Sequence, residues 1–434
     1  MEPLERVRFT PTALKIKMEF QPPKGTRDLY GKEAKLREDL KDTLKLIFQK
    51  YGFLPLESPI LENSAVLTKK SAGGAEINKE IFKLKDQGKR DLGLRFDLTV
   101  PLCRYVCGNP QIKIPFKRYN IGEVFRDGPI KLGRYRQFTQ ADVDVIGVNS
   151  LIADAELLKL ATDVFEKLQI DYEIIFNSRL LVNEVLEYSG IKEDKHEAAL
   201  LSLDKLKKIG KNEVINELKE KRISDSSITK LFDILENKNS LDNLSIIAPK
   251  GVSSLKEFMS FLELFKVKNF KFNLTLARGL NYYTGTVFEI YSPSSKVKSS
   301  LAAGGRYDNL IPSFTDNKLN YGAVGISFGI DPILETLRDK KESTIITKVY
   351  IISINQLNKS IEVLNELRKN NINSDIDLLQ RGVSKCLDYA SKLEIPYVIF
   401  IGEKEVKINK LKLRSMKTGE EELLSLNELI KKLK

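Results

Sequence analysis

Histidine and cysteine, on which many catalytic and metal sites depend, are scarce in this chain of 434 residues. The one histidine is His196, in the charged stretch KEDKHEAAL, which we interpret as a solvated helix face. The three cysteines, Cys103, Cys107 and Cys386, are too few for a disulfide framework. This pattern excludes histidine-dependent triads and disfavours a zinc site. Catalysis would then depend on carboxylates, arginines or a bound metal.

Long apolar runs and a secretory signal are also missing. No apolar stretch reaches the length of about 18 residues that a membrane span needs. Apolar residues make up 42% of the chain, which is too many for general disorder. The first residues, MEPLERVRFTPTALKIKMEF, carry charges where a signal peptide would have an apolar core. We therefore expect a cytoplasmic protein with no membrane association.

Basic residues, by contrast, are in excess. The net charge is +12, which suits a polyanionic partner such as a nucleic acid. Residues 347–434 hold 16 basic and 12 acidic residues, an excess of four. The length of the chain predicts two or three domains, and the last of them carries part of this basic excess.

Hydrophobic periodicity predicts an α+β fold. Leu36, Leu40, Leu44 and Ile47 recur at helical spacing within 31–53. Alternating apolar and polar residues then predict strands, which would form a largely antiparallel sheet with helices around it; they lie at 92–101, 136–147, 274–279 and 286–291. Residues 176–265 are predicted to form a helical insertion, and 347–434 alternate between strands and helices as in a small α/β domain.

Two of the predicted strands have polar faces that could form a binding site. One face carries Arg95, Asp97 and Thr99, and the other carries Gln140, Asp142 and Asp144. Carboxylates and amides accept hydrogen bonds from an ammonium group or an imidazole NH, and arginines bind carboxylates or phosphates. The alternative interpretation is the wet face of an ordinary antiparallel sheet.

Basic side chains and glycines mark a second candidate region. The segment 125–138 places Arg126, Lys131, Arg134 and Arg136 around a turn that could reach over a triphosphate or the end of a nucleic acid. A solvated hairpin would have a similar sequence. Glycines near 279–285 and 302–308 permit close backbone approach to a ligand, but they match neither a dinucleotide-binding nor a P-loop motif.

Several segments resemble motifs of the histidyl-tRNA synthetases, a family of class II aminoacyl-tRNA synthetases. The two signatures particular to that family are similar to LARGLNYYTGTVFE (276–289) and AAGGRYDNLI (302–311). Its opening motif is similar to PPKGTRDLYG (22–31). The first, second and third motifs of class II enzymes are similar to SPILENSAVLTKKSAGG (58–74), VFRDGPIKLGRYRQFTQADVDVIG (124–147) and YGAVGISFGIDPIL (321–334). Parts of the family's insertion and anticodon-binding domains are similar to SLDKLKKIG (202–210) and IPYVIFIGEKEVKINKLKLRS (395–415). The resemblance extends over 19–434.

The resemblance implies a class II antiparallel sheet with flanking helices, a helical insertion and a C-terminal α/β anticodon-binding domain. The implied domain bounds are an N-terminal extension at 1–18, a catalytic domain at 19–175 and 266–338, the insertion at 176–265 and the anticodon-binding domain at 347–434. It also implies a homodimeric ligase that activates L-histidine with ATP and Mg²⁺ and transfers it to tRNA(His). Met18, just before the opening motif, is an alternative translation start.

Individual residue roles follow from the same resemblance. Histidine would be bound by Asp97, Thr99, Gln140, Asp144, Tyr282 and Tyr283. Asp97 and Gln140 would contact its ammonium group, and Asp144 its imidazole. ATP would be bound by Arg126, Asp127, Arg136 and Arg278, of which Arg126 and Arg278 would be catalytic. The implied metal, Mg²⁺, has no assigned protein ligand.

Three positions depart from the family pattern. Asp127 stands one residue before the place where the second motif has its acid, and Asn281 replaces an aspartate. Pro332 replaces the third motif's arginine, which contacts the γ-phosphate of ATP. The alternatives to an enzyme are a regulatory subunit of ATP phosphoribosyltransferase and a duplicate that binds histidine or tRNA without charging. The presence of 347–434 favours the enzyme, because that regulatory relative usually lacks this domain.

Overall fold

The computed structural model describes residues 20–69, 74–130, 133–278, 282–315, 321–338 and 346–434. The described residues of Met1–Asp28 and Arg37–Lys341 form one compact unit, and those of Leu29–Leu36 and Glu342–Lys434 form another. No helix among the described residues is long and apolar enough to span a bilayer. The domain bounds given above stay predictions.

The larger unit is built on an eight-stranded sheet. The strands of this unit are β1 (Leu54–Pro55), β2 (Leu61–Asn63), β3 (Lys83–Lys85), β4 (Asp91–Leu94), β5 (Phe116–Phe125), β6 (Gln137–Ile146), β7 (Glu173–Ser178), β8 (Phe270–Phe272), β9 (Thr286–Tyr291), β10 (Ala302–Arg306) and β11 (Ala323–Gly329). The large sheet has the order β1-β5-β6-β11-β10-β9-β7-β8, and β2-β4-β3 form a small sheet. Only the end pairs β1–β5 and β7–β8 are parallel within the large sheet. The predicted antiparallel sheet is therefore confirmed.

The described residues of this unit also form helices, several of which pack on the sheet. They are α1 (Lys32–Lys50), α2 (Ser64–Leu67), α3 (Gly74–Lys79), α4 (Thr99–Gly108), α5 (Ile152–Lys167), α6 (Arg179–Tyr188), α7 (His196–Leu203), α8 (Leu206–Ile209), α9 (Lys211–Glu220), α10 (Asp225–Asn237), α11 (Leu241–Ile247), α12 (Pro249–Leu264), α13 (Leu310–Phe314) and α14 (Ile330–Arg338). In α1 the buried apolar residues Leu40, Leu44 and Phe48 recur every four positions. The ring of Phe48 packs on those of Tyr119 and Phe328, so α1 covers one face of the sheet.

One predicted strand is much shorter than expected, and another is absent from its described residues. The strand predicted at 92–101 ends at Leu94, and helix α4 begins at Thr99. The Asp97 carboxylate accepts a hydrogen bond from the Val100 amide, which favours the start of a helix there. The predicted strand at 274–279 is also absent from its described residues, because the Asn273 carboxamide accepts from the Thr275 amide and turns the chain.

The prediction for His196 is also wrong. Its side chain is only 6% exposed, and Nε2 lies 3.0 Å from the carbonyl oxygen of Ile191. The charged residues around His196 in the sequence indicated a solvent-exposed position. His196 is the first residue of α7, however, and its side chain faces the protein interior. The region between Arg179 and Leu264 is helical, as predicted.

The smaller unit contains the five-stranded sheet β13-β12-β14-β15-β16. Its elements are β12 (Val349–Ser353), α15 (Leu357–Lys369), β13 (Ser374–Ile376), α16 (Val383–Lys392), β14 (Tyr397–Ile401), α17 (Glu403–Lys407), β15 (Leu411–Ser415), β16 (Glu421–Leu424) and α18 (Leu426–Leu433). Strand β12 is parallel to both β13 and β14, and the remaining pairs are antiparallel. The predicted partly parallel sheet is confirmed.

Candidate active site

The polar row on β6 lies in the middle of the large sheet. Gln140, Asp142 and Asp144 alternate along the strand and therefore face the same side. Asp142 and Asp144 are only 3% and 2% exposed, and Gln140 is half-buried. The face is thus not the wet surface of an ordinary sheet. Burying two carboxylates has a high free-energy cost, so they must be paired or serve a ligand.

Asp144 already has two partners. Nη2 of Arg118, directly across on β5, lies 2.8 Å from Oδ2, and the Tyr307 hydroxyl donates to Oδ1 at 2.5 Å. On the other side Asp144 faces Gly325, where a Cβ atom would overlap Oδ1. Burial raises the pKa of Asp144, and the charge of Arg118 opposes this. The pairing favours the ionised carboxylate and leaves lone pairs free to accept from a ligand.

Asp142 is the other buried carboxylate on this face of β6. Its Oδ1 atom is buried and has no hydrogen-bond partner among the described residues. Its strand neighbours are Asn120 on β5 and Ser327 on β11. Burial raises the pKa of Asp142 to about 7, although Arg118 opposes the shift. The sheet therefore has a second carboxyl group beside Asp144 that the family resemblance does not assign.

Asp97 lies just before α4, within electrostatic range of Arg126 and Asp144. Burial raises the pKa of Asp97 to about 6, and the hydrogen bond from the Val100 amide limits the rise. Thr99 is the first residue of α4 and half-buried. The two residues were predicted to share a strand face, but Asp97 precedes the helix that begins at Thr99.

Arg126 lies at the end of β5, where the predicted basic loop begins. Its Nε donates to the Phe96 carbonyl at 3.0 Å, and its guanidinium lies 5.2 Å from the centre of the Phe138 ring. These contacts place Arg126 beside Asp97. An arginine so held can bind two phosphate or carboxylate oxygens at once.

The loop after Arg126 contacts the opening motif (22–31). Nη2 of Arg136 lies 3.0 Å from Oδ1 of Asp127, and the Arg136 amide donates to the Gly25 carbonyl at 2.8 Å. Gly25 has a φ of +88°, and a Cβ there would lie 2.7 Å from the Arg136 side chain. A glycine is required at this close approach. Arg134 pairs with Glu80 at 3.4 Å, and the predicted Lys131 lies outside the described residues.

Arg278, Tyr282 and Tyr283 form a second group. The Arg278 guanidinium lies 5.3 Å from the centre of the Tyr283 ring, and the two tyrosine rings are 4.8 Å apart. The pKa of Tyr282 is raised mainly by burial, with contributions from Tyr283 and Asp97, so this group lies near Asp97. A Cβ on Gly305 would lie 2.8 Å from the Tyr283 ring. The departure at Asn281 lies outside the described residues.

Pro332 occupies the first turn of α14. That position tolerates proline, because the first turn has no internal hydrogen bond from its NH groups. The preceding residue, Asp331, is buried and pairs with Arg27 at 2.8 Å and with Arg37 at 3.3 Å. The start of the helix is thus intact. The difference from the family pattern is that Pro332 provides no cation at this position.

Sequence reasoning missed two residues that complete the site, Arg118 and Tyr307. Arg118 has a detectable signal: it alternates with Asn120 and Gly122 along β5, opposite the polar row of β6. Tyr307 lies inside the glycine-rich segment that was singled out only for its glycines. Its contact with Asp144 joins residues 163 positions apart, which no local pattern reveals.

Comparisons with known proteins show which family the chain resembles. A family model described as histidyl-tRNA synthetase matches residues 25–333, and one described as anticodon binding domain matches 348–434. Histidine–tRNA ligase 2 of Shouchella clausii (strain KSM-K16) is 40% identical over 419 residues, which cover 94% of this chain and 98% of that protein. The crystal structure of histidyl-tRNA synthetase from Nostoc sp. PCC 7120 matches with a TM-score of 0.82 at 28% identity, covering 96% and 99% of the two chains.

A further structural match bears on the fold alone. A crystal structure described as an ATP phosphoribosyltransferase regulatory subunit/histidyl-tRNA synthetase from Bacillus halodurans C has a TM-score of 0.74 at 22% identity. It covers 88% of this chain and 98% of that one. At this identity the likeness concerns the architecture.

Proposed function

Because the chain belongs to the histidyl-tRNA synthetase family, we propose that it activates L-histidine with ATP and transfers it to tRNA(His). The observation that carries this function is the buried pair Arg118–Asp144 with Tyr307, which offers an oriented carboxylate on the polar face of β6. The test is histidine-dependent exchange between ATP and pyrophosphate, followed by charging of tRNA(His) transcripts. Exchange with histidine but with no other amino acid supports the proposal.

In the proposed histidine site, carboxylates accept hydrogen bonds from both the ammonium group and the imidazole ring of the substrate. Asp97 and Gln140, with Thr99, bind the ammonium group, and Asp144 accepts from the imidazole NH. Tyr282 and Tyr283 close the pocket around the side chain, which is supported by their burial and mutual contact. Asp97 must be ionised for this role. An approaching ammonium group favours the ionised form and lowers the pKa that burial has raised.

In the proposed ATP site, arginines hold the reacting groups in line. An oxygen of the histidine carboxylate attacks the α-phosphorus of ATP, the bond to the β-phosphate oxygen breaks, and pyrophosphate leaves. Arg126 and Arg278 contact the α-phosphate and the attacking carboxylate, while Asp127 and Arg136 support the nucleotide from the loop. In phosphoryl transfer most of the catalysis comes from such positioning and charge stabilisation.

Transfer to tRNA completes the reaction. A hydroxyl of the terminal ribose attacks the carbonyl carbon of the adenylate, its proton is released, and AMP leaves. Residues 348–434 match an anticodon-binding domain model and carry a basic excess, which supports tRNA binding by this region. The first unit would perform the chemistry and the second would recognise the tRNA.

Mg²⁺ is proposed as part of the ATP substrate. This ion prefers oxygen ligands and is usually held by one or two carboxylates together with substrate phosphates. Among the described residues no group of three or more metal-ligating side chains lies together. We therefore propose that the phosphates of ATP supply most of the ligands of the ion. The ion would neutralise charge on the leaving pyrophosphate.

The enzyme is proposed to be a cytoplasmic homodimer. Apolar side chains on and near β1 and β2 are exposed, namely Leu54, Ile60 and Leu61 at 71%, 43% and 47%. They lie in and beside the segment that resembles the first class II motif, which forms the subunit interface in that class. Exposed apolar residues grouped in this way are typical of a surface that a partner covers.

One observation favours a second candidate function, a duplicate that binds histidine or tRNA without charging. Pro332 lacks the cation that the third motif supplies to ATP. The exchange assay separates the two functions. Histidine binding without any exchange at millimolar ATP would favour the non-charging duplicate, and measurable exchange would exclude it.

A further inference from the structure

The Asn273 amide donates to the Phe176 carbonyl of β7 at 3.0 Å, and beyond this point the segment 273–278, which leads to Arg278, is held by side chains. Nδ2 of Asn177 donates to the carbonyls of Leu274 and Leu276, at 3.0 and 2.9 Å. Nη2 of Arg179 donates to the carbonyl of Arg278 at 3.4 Å. Every second carbonyl of this segment is thus bound by one of two side chains.

These two residues, here called the clasp, lie at the junction of β7 and α6. Asn177 is fully buried and Arg179 is 6% exposed. Oδ1 of Asn177 accepts from the Ser178 amide, which fixes the orientation of its carboxamide. The Arg179 amide donates to the Gly285 carbonyl at 2.8 Å. The clasp residues therefore contact the chain both before Arg278, Tyr282 and Tyr283, at Leu274 and Leu276, and after them, at Gly285.

The backbone of Arg278 shows why such a clasp is needed. Its φ is +50°, in the left-handed region that residues other than glycine seldom adopt. A residue keeps this backbone conformation only when surrounding contacts hold it there. The carbonyl of Arg278 is among the groups held in this way, because Arg179 binds it.

We propose that Asn177 and Arg179 are positioning residues for the reaction: they hold the left-handed backbone of Arg278 and so aim its guanidinium at the reacting groups. The proposal rests on the catalytic role of Arg278 proposed above. It assigns a function to the strand-to-helix junction that begins the helical region. Neither clasp side chain needs to contact substrate for this role.

The role of Arg179 differs from simple packing in a measurable way. A residue that only stabilises the fold lowers the unfolding temperature and leaves turnover per folded molecule unchanged. A residue that aims Arg278 lowers kcat while KM for histidine changes little, because the misplaced contact belongs to the transition state. A misplacement of about 1 Å can cost about 100-fold in rate.

The experiment is a double-mutant cycle on the full-length protein. Arg179→Met, Arg179→Lys and Asn177→Leu are made in the wild type, and Arg179→Met also in Arg278→Ala. Histidine-dependent exchange gives kcat and KM, and thermal unfolding reports folding. The control is Arg368→Met, which removes an arginine that bonds the Ser374 carbonyl at 3.1 Å in the smaller unit.

We expect Arg179→Met and Asn177→Leu to lower kcat roughly 30- to 100-fold with KM for histidine within about threefold. Arg179→Lys should retain part of the activity, since an ammonium group can still donate to the carbonyl, and Arg368→Met should behave as the wild type. In the Arg278→Ala background, Arg179→Met should change kcat by less than about threefold, because residues that act as a unit are not additive.

If Arg278→Ala lowers kcat and Arg179→Met lowers it further by the same factor as in the wild type, the clasp proposal is wrong and the proposed function stands. A folded Arg179→Met protein with kcat near the wild type would lead to the same conclusion. If Arg278→Ala kept full activity, the catalytic role of Arg278 would fail and the clasp with it. Should Arg179→Met not fold, the same cycle with Arg179→Lys decides by the same criterion.

Discussion

Nη2 of Arg118 lies 2.8 Å from Oδ2 of Asp144, and their side chains are only 1% and 3% exposed. The pair joins β5 and β6. Asp144 is the residue to which the family resemblance assigns the contact with the imidazole of histidine. Burial raises the pKa of Asp144, and the positive charge of Arg118 opposes this rise. The guanidinium thus keeps Asp144 able to accept a hydrogen bond from substrate.

Arg118→Met should weaken histidine binding and destabilise the protein. Removing one member of a buried pair costs about 3–5 kcal/mol when the other charge stays buried, and Asp144 would reduce that cost by taking up a proton. We expect the histidine KM to rise at least about tenfold, by roughly 1.4 kcal/mol. The control is Lys117→Met, next on the strand, whose pair with Glu156 is partly exposed and worth about 0–1 kcal/mol. Equal KM values for both variants would contradict the assignment.

Arg278→Ala should lower histidine-dependent exchange by roughly two to three orders of magnitude, the usual cost of one preorganised contact in the transition state. Histidine binding, measured by calorimetry, should change much less. Exchange within a few-fold of the wild type would make Arg278 a structural residue.

Pro332→Arg should strengthen ATP binding without altering histidine binding. One charge-assisted hydrogen bond to phosphate is worth about 1.5–3 kcal/mol, which corresponds to roughly 10- to 100-fold in affinity. Since the residue lies in the first turn of α14, the helix does not depend on the proline. Pro332→Ala is the matched control, because it removes the ring without adding a charge. The same gain in both variants would show that the cation is irrelevant.

Deleting residues 347–434 should leave adenylation within a few-fold of the full-length rate and reduce tRNA charging. Every proposed site residue lies in the larger unit, whereas the deleted part matches an anticodon-binding domain. A loss of roughly 100-fold in charging corresponds to about 2.7 kcal/mol of tRNA binding. Equal loss of both activities in a truncated protein that still shows cooperative unfolding would refute this division of labour.

Light scattering at micromolar concentration should give the mass of a homodimer, and Leu61→Asp should shift it toward the monomer. A buried charge without a partner is costly at an apolar interface. Leu264→Asp is the control, since this side chain in α12 is 76% exposed but lies far along the chain from the first motif. A monomeric wild type, or dissociation by both variants, would contradict the proposed interface.

Elements with a regular hydrophobic period were predicted well. Leu40 and Leu44 mark the buried face of α1, and the alternation along 137–146 marks β6. The strands and helices of residues 347–434 follow from the same reasoning. In each case a local pattern is enough, because burial on one side of a helix or strand repeats at a fixed spacing.

The two incorrect strand predictions occur where short polar side chains act on the backbone. The Asp97 side chain accepts a hydrogen bond from the Val100 amide, which favours a helix start. The Asn273 side chain accepts one from the Thr275 amide, which favours a turn. Both stretches alternate in polarity like a strand. Over only a few residues that alternation does not distinguish a strand from an extended segment followed by a turn.

The sequence by itself determined the periodic elements, the chemical types in the site and the family resemblance, because these depend on residues close together in the chain. Only the tertiary structure decided that Arg118 and Tyr307 bind Asp144 and that Asn177 and Arg179 hold the segment before Arg278. Those contacts join residues tens to hundreds of positions apart. They depend on strand register and on how loops fold back onto the sheet, so no local pattern encodes them.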